Sequence, residues 1–455
     1  MYKYDLIVIG AGSGGLTSSL IAAEIGLNVA LIEKNEESVG GECLWSGCVP
    51  SKALIHVAKK IYTSKKVSPF GVETKGETSW DSVKEYIQRK QRTIKKHESK
   101  EELEKQGVSL LFGTAKLEGK NKVCVDGQIV TAKKIILATG SSPRRIGLET
   151  QIPIYTNEEI FTMDSLPKEL LVIGGGPIGL ELGQSMSRLG SKVTVIERGN
   201  RILKRDPADL TTYLKKILQE ENISIKLNTS IEAIHKEKVT LSDDTVHTPD
   251  AILLGIGRTP NIKNIGLDKV GVEYSKRGIK VNDYCQTNIN SIYAVGDCNG
   301  QYQLSHAAEI EATTVLQNNL IPLYNKKVQY NNLSWVTFTD PQIATLGSIQ
   351  ELEETCTKHR IPFNETDRTI IESTPSRGFL YEKKGYIKGA SILHTRADSL
   401  IQEIILAKQN KIKLKELMNK IVPYPTHEMA TKLTAVKHVQ RKTPRWIKKL
   451  GGMLW

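Results

Sequence analysis

No stretch of this sequence reaches the ~20 uninterrupted apolar residues that a membrane-spanning helix needs. The apolar opening YDLIVIGAGSGGLTSSLIAA carries Asp5 and is broken by glycines, which is not the pattern of a signal peptide. Cysteine is sparse, six residues in 455, and this excludes a disulfide scaffold. Aromatic residues make up only 6% of the chain, against 39% hydrophobic and 25% charged residues, so the composition is otherwise that of a soluble globular protein. Motifs that read RNA or DNA are missing as well, although the net charge is +13. The lysines and arginines are spread along the chain, and the charge reads as a basic solvated surface rather than a nucleic-acid site. A cytoplasmic protein of two to four domains is expected.

What is present begins with glycine. YDLIVIGAGSGGLTSSLIAAEIGLNVALIEK reads as strand, tight turn, helix and strand, with Gly10, Gly12 and Gly15 in the GxGxxG spacing and Gly14 beside them. The first two glycines permit a tight turn and close approach of a pyrophosphate to backbone N–H groups; the third lets helix and strand pack closely. Glu33 ends the second strand, where a carboxylate can accept hydrogen bonds from a ribose, and Lys34 follows it. The pattern returns in LLVIGGGPIGLELGQSMSRLGSKVTVIERGNRIL, with Gly174, Gly176, Gly179 and the terminal acid Glu197. Two such units imply two bound dinucleotides, such as a flavin and a nicotinamide.

Further along, KKIILATGSSPR is a short buried strand ending in Ala138, Thr139 and Gly140, with Ser141 next. DAILLGIGRTPN holds Gly257 and Arg258, and INSIYAVGDCNG runs into Gly296 and Asp297, an aspartate suited to a polyhydroxyl chain. Near the N-terminus, GGECLWSGCVPSK places Cys43 and Cys48 five positions apart. Five residues of regular helix rise about 7.5 Å, whereas disulfide Cα atoms usually sit about 4.4–6.8 Å apart. A bridge there requires an irregular turn, which Gly47 and Pro50 suit. Spacing alone leaves open whether these are ordinary thiols or a working disulfide.

Together these residues resemble the flavin-dependent pyridine nucleotide–disulfide oxidoreductases, the family of dihydrolipoyl dehydrogenase, glutathione reductase and mercuric reductase. The resemblance covers nearly the whole chain. It implies an α/β fold with two Rossmann-like dinucleotide-binding domains, for FAD and NAD(P), and a C-terminal α+β dimerisation domain. The FAD domain is expected at 1–146 and 267–331, the nicotinamide domain at 147–266 and the dimerisation domain at 332–455. In the family, GG-x-C-x4-C-x2-P-x-K carries a redox-active disulfide, here Gly40, Gly41, Cys43, Cys48, Pro50 and Lys52. By resemblance Cys48 faces the flavin, Cys43 is the outer interchange thiol, and Lys52 approaches the flavin and pairs with Glu181. Ala115 and His306 also fall at flavin-binding positions, and the aspartate of GD, Asp297, holds the ribitol. The loop departs from the commonest family wording at Trp45 and Ser46.

A second departure lies near the C-terminus. Family members acting on thiols carry a His-Pro there, with a glutamate shortly after it, contributed to the partner subunit's site. In KIVPYPTHEMATKL, Tyr424 takes the histidine's place and Met429 the glutamate's, while His427 and Glu428 stand out of register. A tyrosine titrating near pH 10 is a poor proton shuttle. Mercuric reductases have a tyrosine in a similar setting, but their C-terminal cysteine pair has no counterpart in RWIKKLGGMLW. The expected protein is a homodimeric oxidoreductase of the mercuric-reductase-like branch, with a small-molecule or metal-ion acceptor, no resident metal, and dihydrolipoyl dehydrogenase as the alternative. NADH is the expected nicotinamide because Glu197 repels a 2′-phosphate; NADPH is the alternative, since Arg198 and Arg201 follow. RKQRTIKKHESKEELEKQG reads as a charged, solvated helix, and the terminal residues with Trp446 and Trp455 as a solvated basic tail rather than a membrane anchor. A membrane- or nucleic-acid-binding flavoprotein is the reading from a different class.

Overall fold

The computed structural model describes residues 2–321, 323–444 and 446–447; Trp455, at the end of the basic tail, lies outside them. Two compact units are formed. Among the described residues, the first comprises those within 1–174, 185–193 and 231–330, and the second those within 175–184, 194–230 and 331–447. Among the described residues, no helix is long and apolar enough to cross a membrane.

The first unit is organised by the unbroken apolar runs noted above, because strands covered on both faces need apolar side chains at successive positions. β1 (Tyr4–Ile9), α1 (Ser13–Glu24) and β2 (Val29–Glu33) form the first strand–helix–strand unit. A short helix α2 (Gly41–Trp45) and the longer α3 (Cys48–Ser64) follow. Then come β3 (Val108–Phe112), the meander β4 (Ala115–Gly119) and β5 (Lys122–Val125), and the long β6 (Gln128–Leu137). The strand order is β3-β2-β1-β6-β5-β4, with strand Ile292–Ala294 also pairing with β6. β1 pairs in parallel with both β2 and β6, placing Val8 opposite Leu31 and Ile136. One face of this sheet buries Leu6, Val8 and Leu31 with α1 residues, and the other buries Ile7, Ile9, Ile32 and Ile135. The carboxyl ends of β1, β6 and Ile292–Ala294 therefore converge, and the motif residues Gly10, Thr139 and Asp297 lie just beyond those ends.

The charged stretch 89–107 is helical over most of its length, in helices Trp80–Lys95 and Lys100–Lys105. It is not solvated on all sides. Gln91 is buried, and its amide donates to the carbonyls of Leu44 (3.0 Å) and Trp45 (2.9 Å).

The second dinucleotide stretch contributes to both units, whose boundary falls between Gly174 and Gly175. In the first unit, β7 (Glu169–Ile173) and β10 (Ala251–Leu254) pair in parallel. In the second unit, β8 (Lys192–Glu197) pairs in parallel with β9 (Ser224–Leu227) through Val195 and Ile225. α4 (Pro177–Leu189) opens with proline at its first position, where the missing N–H costs no hydrogen bond.

The rest of the second unit is a five-stranded antiparallel sheet. Its strands are β11 (Ser334–Thr337), β12 (Gln342–Leu346), β13 (Thr357–Ile361), β14 (Arg377–Lys383) and β15 (Tyr386–His394), in the order β11-β12-β15-β14-β13. Helices α6 (Ala397–Gln409) and α7 (Met429–Lys442) cover it; α5 is the first unit's helix Ser305–Leu320. Their buried residues Leu400, Ile404, Ala430 and Ala435 share one core with Ala344, Leu380 and Ile392.

Candidate active site

The first glycine turn has no room for a side chain at Gly10 or Gly15. Gly10 adopts φ +103°, and a Cβ there would lie 2.4 Å from the Ala138 carbonyl oxygen. A Cβ on Gly41 would lie 2.7 Å from the Cα of Gly12, so the redox loop and the glycine turn touch backbone to backbone. Gly12 caps α1, placing the helix's free N–H groups at the turn. Glu33 accepts from the Ala11 N–H (2.7 Å) and from the Lys34 N–H (2.8 Å), and the Lys34 side chain is exposed. These features fit a dinucleotide pyrophosphate over bare backbone with a ribose near the carboxylate.

The loop carrying the two cysteines is broken where a bridge would need it broken. α2 ends at Trp45, Ser46 and Gly47 both donate to the Glu42 carbonyl, and α3 begins at Cys48. Pro50 is accommodated in the first turn of α3. Cys43 and Cys48 stand as two thiols in hydrogen-bond contact. Cys43 is half-buried, and its thiol is held well above the ordinary range, first by the bond to Cys48 and then by burial. Cys48 is exposed and lies 3.7 Å from the Ser305 hydroxyl, at the start of α5 and next to His306. Trp45 props the loop from within. Its indole N–H donates to the Val39 carbonyl (3.0 Å), with the Lys95 ammonium over the ring.

Behind this loop runs a polar network that joins it to the GD aspartate. Asp297 accepts from the Ser141 hydroxyl (2.5 Å), and Ser141 accepts from Arg258 through its hydroxyl and its carbonyl (2.7 Å each). Arg258 forms an ion pair with Glu42, and Glu42 accepts from Asn157 (2.8 Å), whose amide also donates to the Ser46 carbonyl (3.0 Å). Burial raises the Glu42 carboxyl above its usual range, opposed by Arg258. Burial likewise raises Asp297, opposed by the Ser141 bond and Arg258. Glu311, fully buried on α5, accepts from Gly296 N–H (2.6 Å), Asn299 (2.7 Å) and Tyr330 (2.6 Å), and burial pushes it up to about 7. Thr139 and Gly140 are fixed by Asn261, which donates to the Thr139 carbonyl (3.0 Å) and to Gly140 (2.9 Å).

Sequence reasoning had singled out Ser141, Arg258 and Asp297, which this network joins, but not Glu42, Asn157 or Glu311. Glu42 is the variable position inside GG-x-C, and Asn157 has no signal at all, its partner being 115 positions away. Ala115 opens β4, two residues beyond Gly113, whose N–H bonds the Glu33 carbonyl. Lys52 is half-buried on α3.

The second turn repeats the first. A Cβ on Gly174 would lie 2.4 Å from the Gly255 carbonyl oxygen. Glu197 accepts from Gly175 N–H (3.0 Å) and Gly199 N–H (2.8 Å) and pairs with Lys204 at 3.2 Å. Burial pushes its carboxyl up, but those bonds hold it below the usual range. Gly176 accepts from Leu180 as α4 begins, Gly179 is buried in the first turn, and Gly257 accepts from the Arg144 N–H (2.9 Å). Arg201 is occupied with the carbonyls of Asp206 (2.9 Å) and Lys204 (2.6 Å), whereas Arg198 is exposed.

In the second unit, Glu181 is buried and accepts from Phe338 N–H (2.8 Å). Tyr424 is 73% exposed, and its hydroxyl donates to Asp367, which raises the phenol above its ordinary value. His427 is 1% exposed and is held between Glu372 (3.0 Å) and Thr369 (3.2 Å).

Residues 4–312 match the family model described as pyridine nucleotide-disulphide oxidoreductase, and residues 333–435 match its dimerisation domain. The chain belongs to the pyridine nucleotide–disulphide oxidoreductases. It is 35% identical over 339 residues to a dihydrolipoyl dehydrogenase of Acholeplasma laidlawii, covering 72% of this chain and 99% of the relative. It is 30% identical over 453 residues to a mercuric reductase of Lysinibacillus sphaericus, covering 95% and 82%. The solved structure of LpdA from Mycobacterium tuberculosis superposes with a TM-score of 0.85 at 23% identity, covering 95% and 99%. As a family member the protein is an FAD- and pyridine nucleotide-dependent oxidoreductase, with two Rossmann-like domains and a C-terminal dimerisation domain that supports a homodimer.

Proposed function

We propose that this oxidoreductase uses Cys43 and Cys48 as a redox-active pair and delivers electrons to a thiophilic acceptor, a soft metal ion being the best candidate, rather than exchanging them with the lipoamide–dihydrolipoamide couple. Bound FAD supplies the relay of two electrons between the nicotinamide and the cysteine pair. Gly10, Gly12, Gly14, Gly15, Gly41, Glu33, Ala115, Thr139, Gly140, Ser141, Asp297 and His306 belong to the flavin site in this reading. Segments 1–146 and 267–331 form its domain, 147–266 the nicotinamide domain and 332–455 the dimerisation domain. Cys48 opens a 17-residue helix, whose positive end favours an anionic sulfur. That supports Cys48 as the flavin-facing thiolate and Cys43 as the interchange thiol. Lys52, on the same helix, adds a cation.

The observation that carries the acceptor assignment is at the C-terminal loop. Tyr424 occupies the acid–base position, and its bond to Asp367 makes the phenol a still poorer proton carrier. His427, the one histidine nearby in sequence, is buried and already bonded on both ring nitrogens. A soft cation needs two thiolates and an oxygen ligand rather than a proton shuttle, and exposed Tyr424 supplies that oxygen to the partner subunit's site. The test is NADH-dependent reduction of Hg(II) in the presence of free thiol, beside lipoamide turnover. Lipoamide turnover should fall about 10²–10⁴-fold short of histidine-bearing relatives, and Tyr424→Phe should slow metal reduction.

Dihydrolipoyl dehydrogenase is the second reading, favoured by full-length similarity to such enzymes, including 33% identity over 443 residues to one of Chlamydia pneumoniae. Full lipoamide turnover without metal-dependent NADH oxidation would select it.

A further inference from the structure

In the C-terminal sheet, three residues that the redox chemistry does not use meet under α7. His359 on β13, Glu382 on β14 and His438 on α7 are all buried, and their ligand atoms lie within 4.8 Å of one another. The placement follows from the fold. His359 and Glu382 sit diagonally on adjacent antiparallel strands, where Thr357 pairs with Glu382 and His359 with Leu380, so both side chains leave the same face. His438 follows Ala430, Thr431, Thr434 and Ala435 along the buried face of α7, which packs over β13.

A hydrogen bond explains two of the three. Nε2 of His359 lies 3.4 Å from Oε2 of Glu382, whose other oxygen accepts from the Gly385 N–H. It does not explain His438. That ring stands edge-on to His359 with centroids 4.9 Å apart and makes no hydrogen bond to any described residue.

We propose that His359, Glu382 and His438 form a binding site for a divalent transition metal of the zinc class. Two imidazoles and one carboxylate are a recognised zinc donor set, with ligand bonds of about 2.0–2.2 Å, and leave a fourth position for water. Tetrahedral bonds of that length put ligand atoms about 3.3 Å apart, closer than the present spacing. Rotation of the His438 ring, which breaks no hydrogen bond to a described residue, supplies the contraction. Burial holds both imidazoles below their ordinary pKa, so they are neutral near pH 7, the form a metal requires. Glu382, pushed up by burial, is brought below the usual range by the Gly385 and His359 bonds and stays ionised. Arg441 and Lys442 also act on these groups and oppose a cation, which sets the affinity below that of a site free of positive charge. A bound ion would pin α7 to the β13–β14 edge of the dimerisation domain.

The experiment uses FAD-loaded protein with Cys43→Ser and Cys48→Ser, so that the redox thiols bind no metal. After chelator treatment, Zn(II) is titrated and the metal retained per chain is measured. One Zn(II) per chain is expected, with a rise in Tm on loading. His438→Gln and Glu382→Gln should each weaken binding by more than the roughly 10–100-fold typical of losing an outer-shell partner. FAD content and circular dichroism establish that each variant is folded. Co(II) in the parent gives a second reading that needs no further variant: visible ligand-field bands without thiolate charge transfer support the site. Failure to retain Zn(II), or equal retention by folded His438→Gln, overturns the proposal.

Discussion

Removing the Glu42 carboxylate tests whether the network behind the cysteine loop holds the loop to Asp297. In Glu42→Ala, the Arg258 guanidinium, 11% exposed, loses the nearer of its two carboxylates but keeps Asp297 at 3.7 Å and its bonds to Ser141. Breaking a buried ion pair from one side costs about 3–5 kcal/mol. Glu42 is itself 30% exposed, and Ser141 continues to satisfy part of Arg258, so a value of about 2–3 kcal/mol is expected. At about 1.4 kcal/mol per factor of ten, that is roughly a 30- to 140-fold shift in the equilibrium. Asn157 is also released, and with it the Ser46 carbonyl between the two cysteines. Glu42→Gln keeps an acceptor for Arg258 and Asn157 and should cost less than half as much. The readout is FAD release during urea unfolding of the holo-protein, for Glu42→Ala, Arg258→Ala and the double variant. A coupling of about 2 kcal/mol is expected between the two positions. Additivity within about 0.5 kcal/mol would refute the reasoning.

Asp206 is 2% exposed and accepts from Trp335 (3.0 Å) and Thr345 (2.5 Å), and burial pushes its carboxyl up to about 6. A carboxyl raised on folding destabilises the ionised native state. Asp206→Asn should therefore be more stable than the parent at pH 7.5, by up to about 2–3 kcal/mol, and the difference should close as the pH falls from 6 toward 4; thermal unfolding across that range checks it, and a pH-independent difference contradicts it. Cys43→Ser should show a long-wavelength absorption band in the oxidised holo-protein and Cys48→Ser should lack it even after two-electron reduction; unchanged spectra in both would remove the cysteine pair from the chemistry. Glu197, with Arg201 turned to backbone carbonyls, predicts a higher kcat/KM for NADH than for NADPH, and Glu197→Ala should narrow the ratio; parity in the parent would reverse the assignment.

The sequence by itself determined the family-level answer because its signals are local. A glycine turn between a buried strand and a helix needs Gly10 and Gly174 where the chain passes another carbonyl, and that need is visible within thirty residues. The break between the two cysteines was legible for the same reason, since no regular helix spans that distance in a bridge. Tyr424 was legible as a departure, but its bond to Asp367 and the burial of His427 were not, because both depend on the short helix Asp367–Glu372, more than fifty positions away.

Only tertiary structure decided what the polar side chains do. Glu42, Arg258, Ser141 and Asp297 come from four separate segments: Ser141 and Arg258 lie on two short paired antiparallel strands, and Asp297 follows the strand that pairs in parallel with β6. Gln91 read as solvated from its charged neighbours, yet its position on the helix turned it inward against the cysteine loop. His359, Glu382 and His438 carry no motif spacing. They meet because adjacent strands display one face to the helix that covers them, and a pattern of that kind exists only once the sheet is formed.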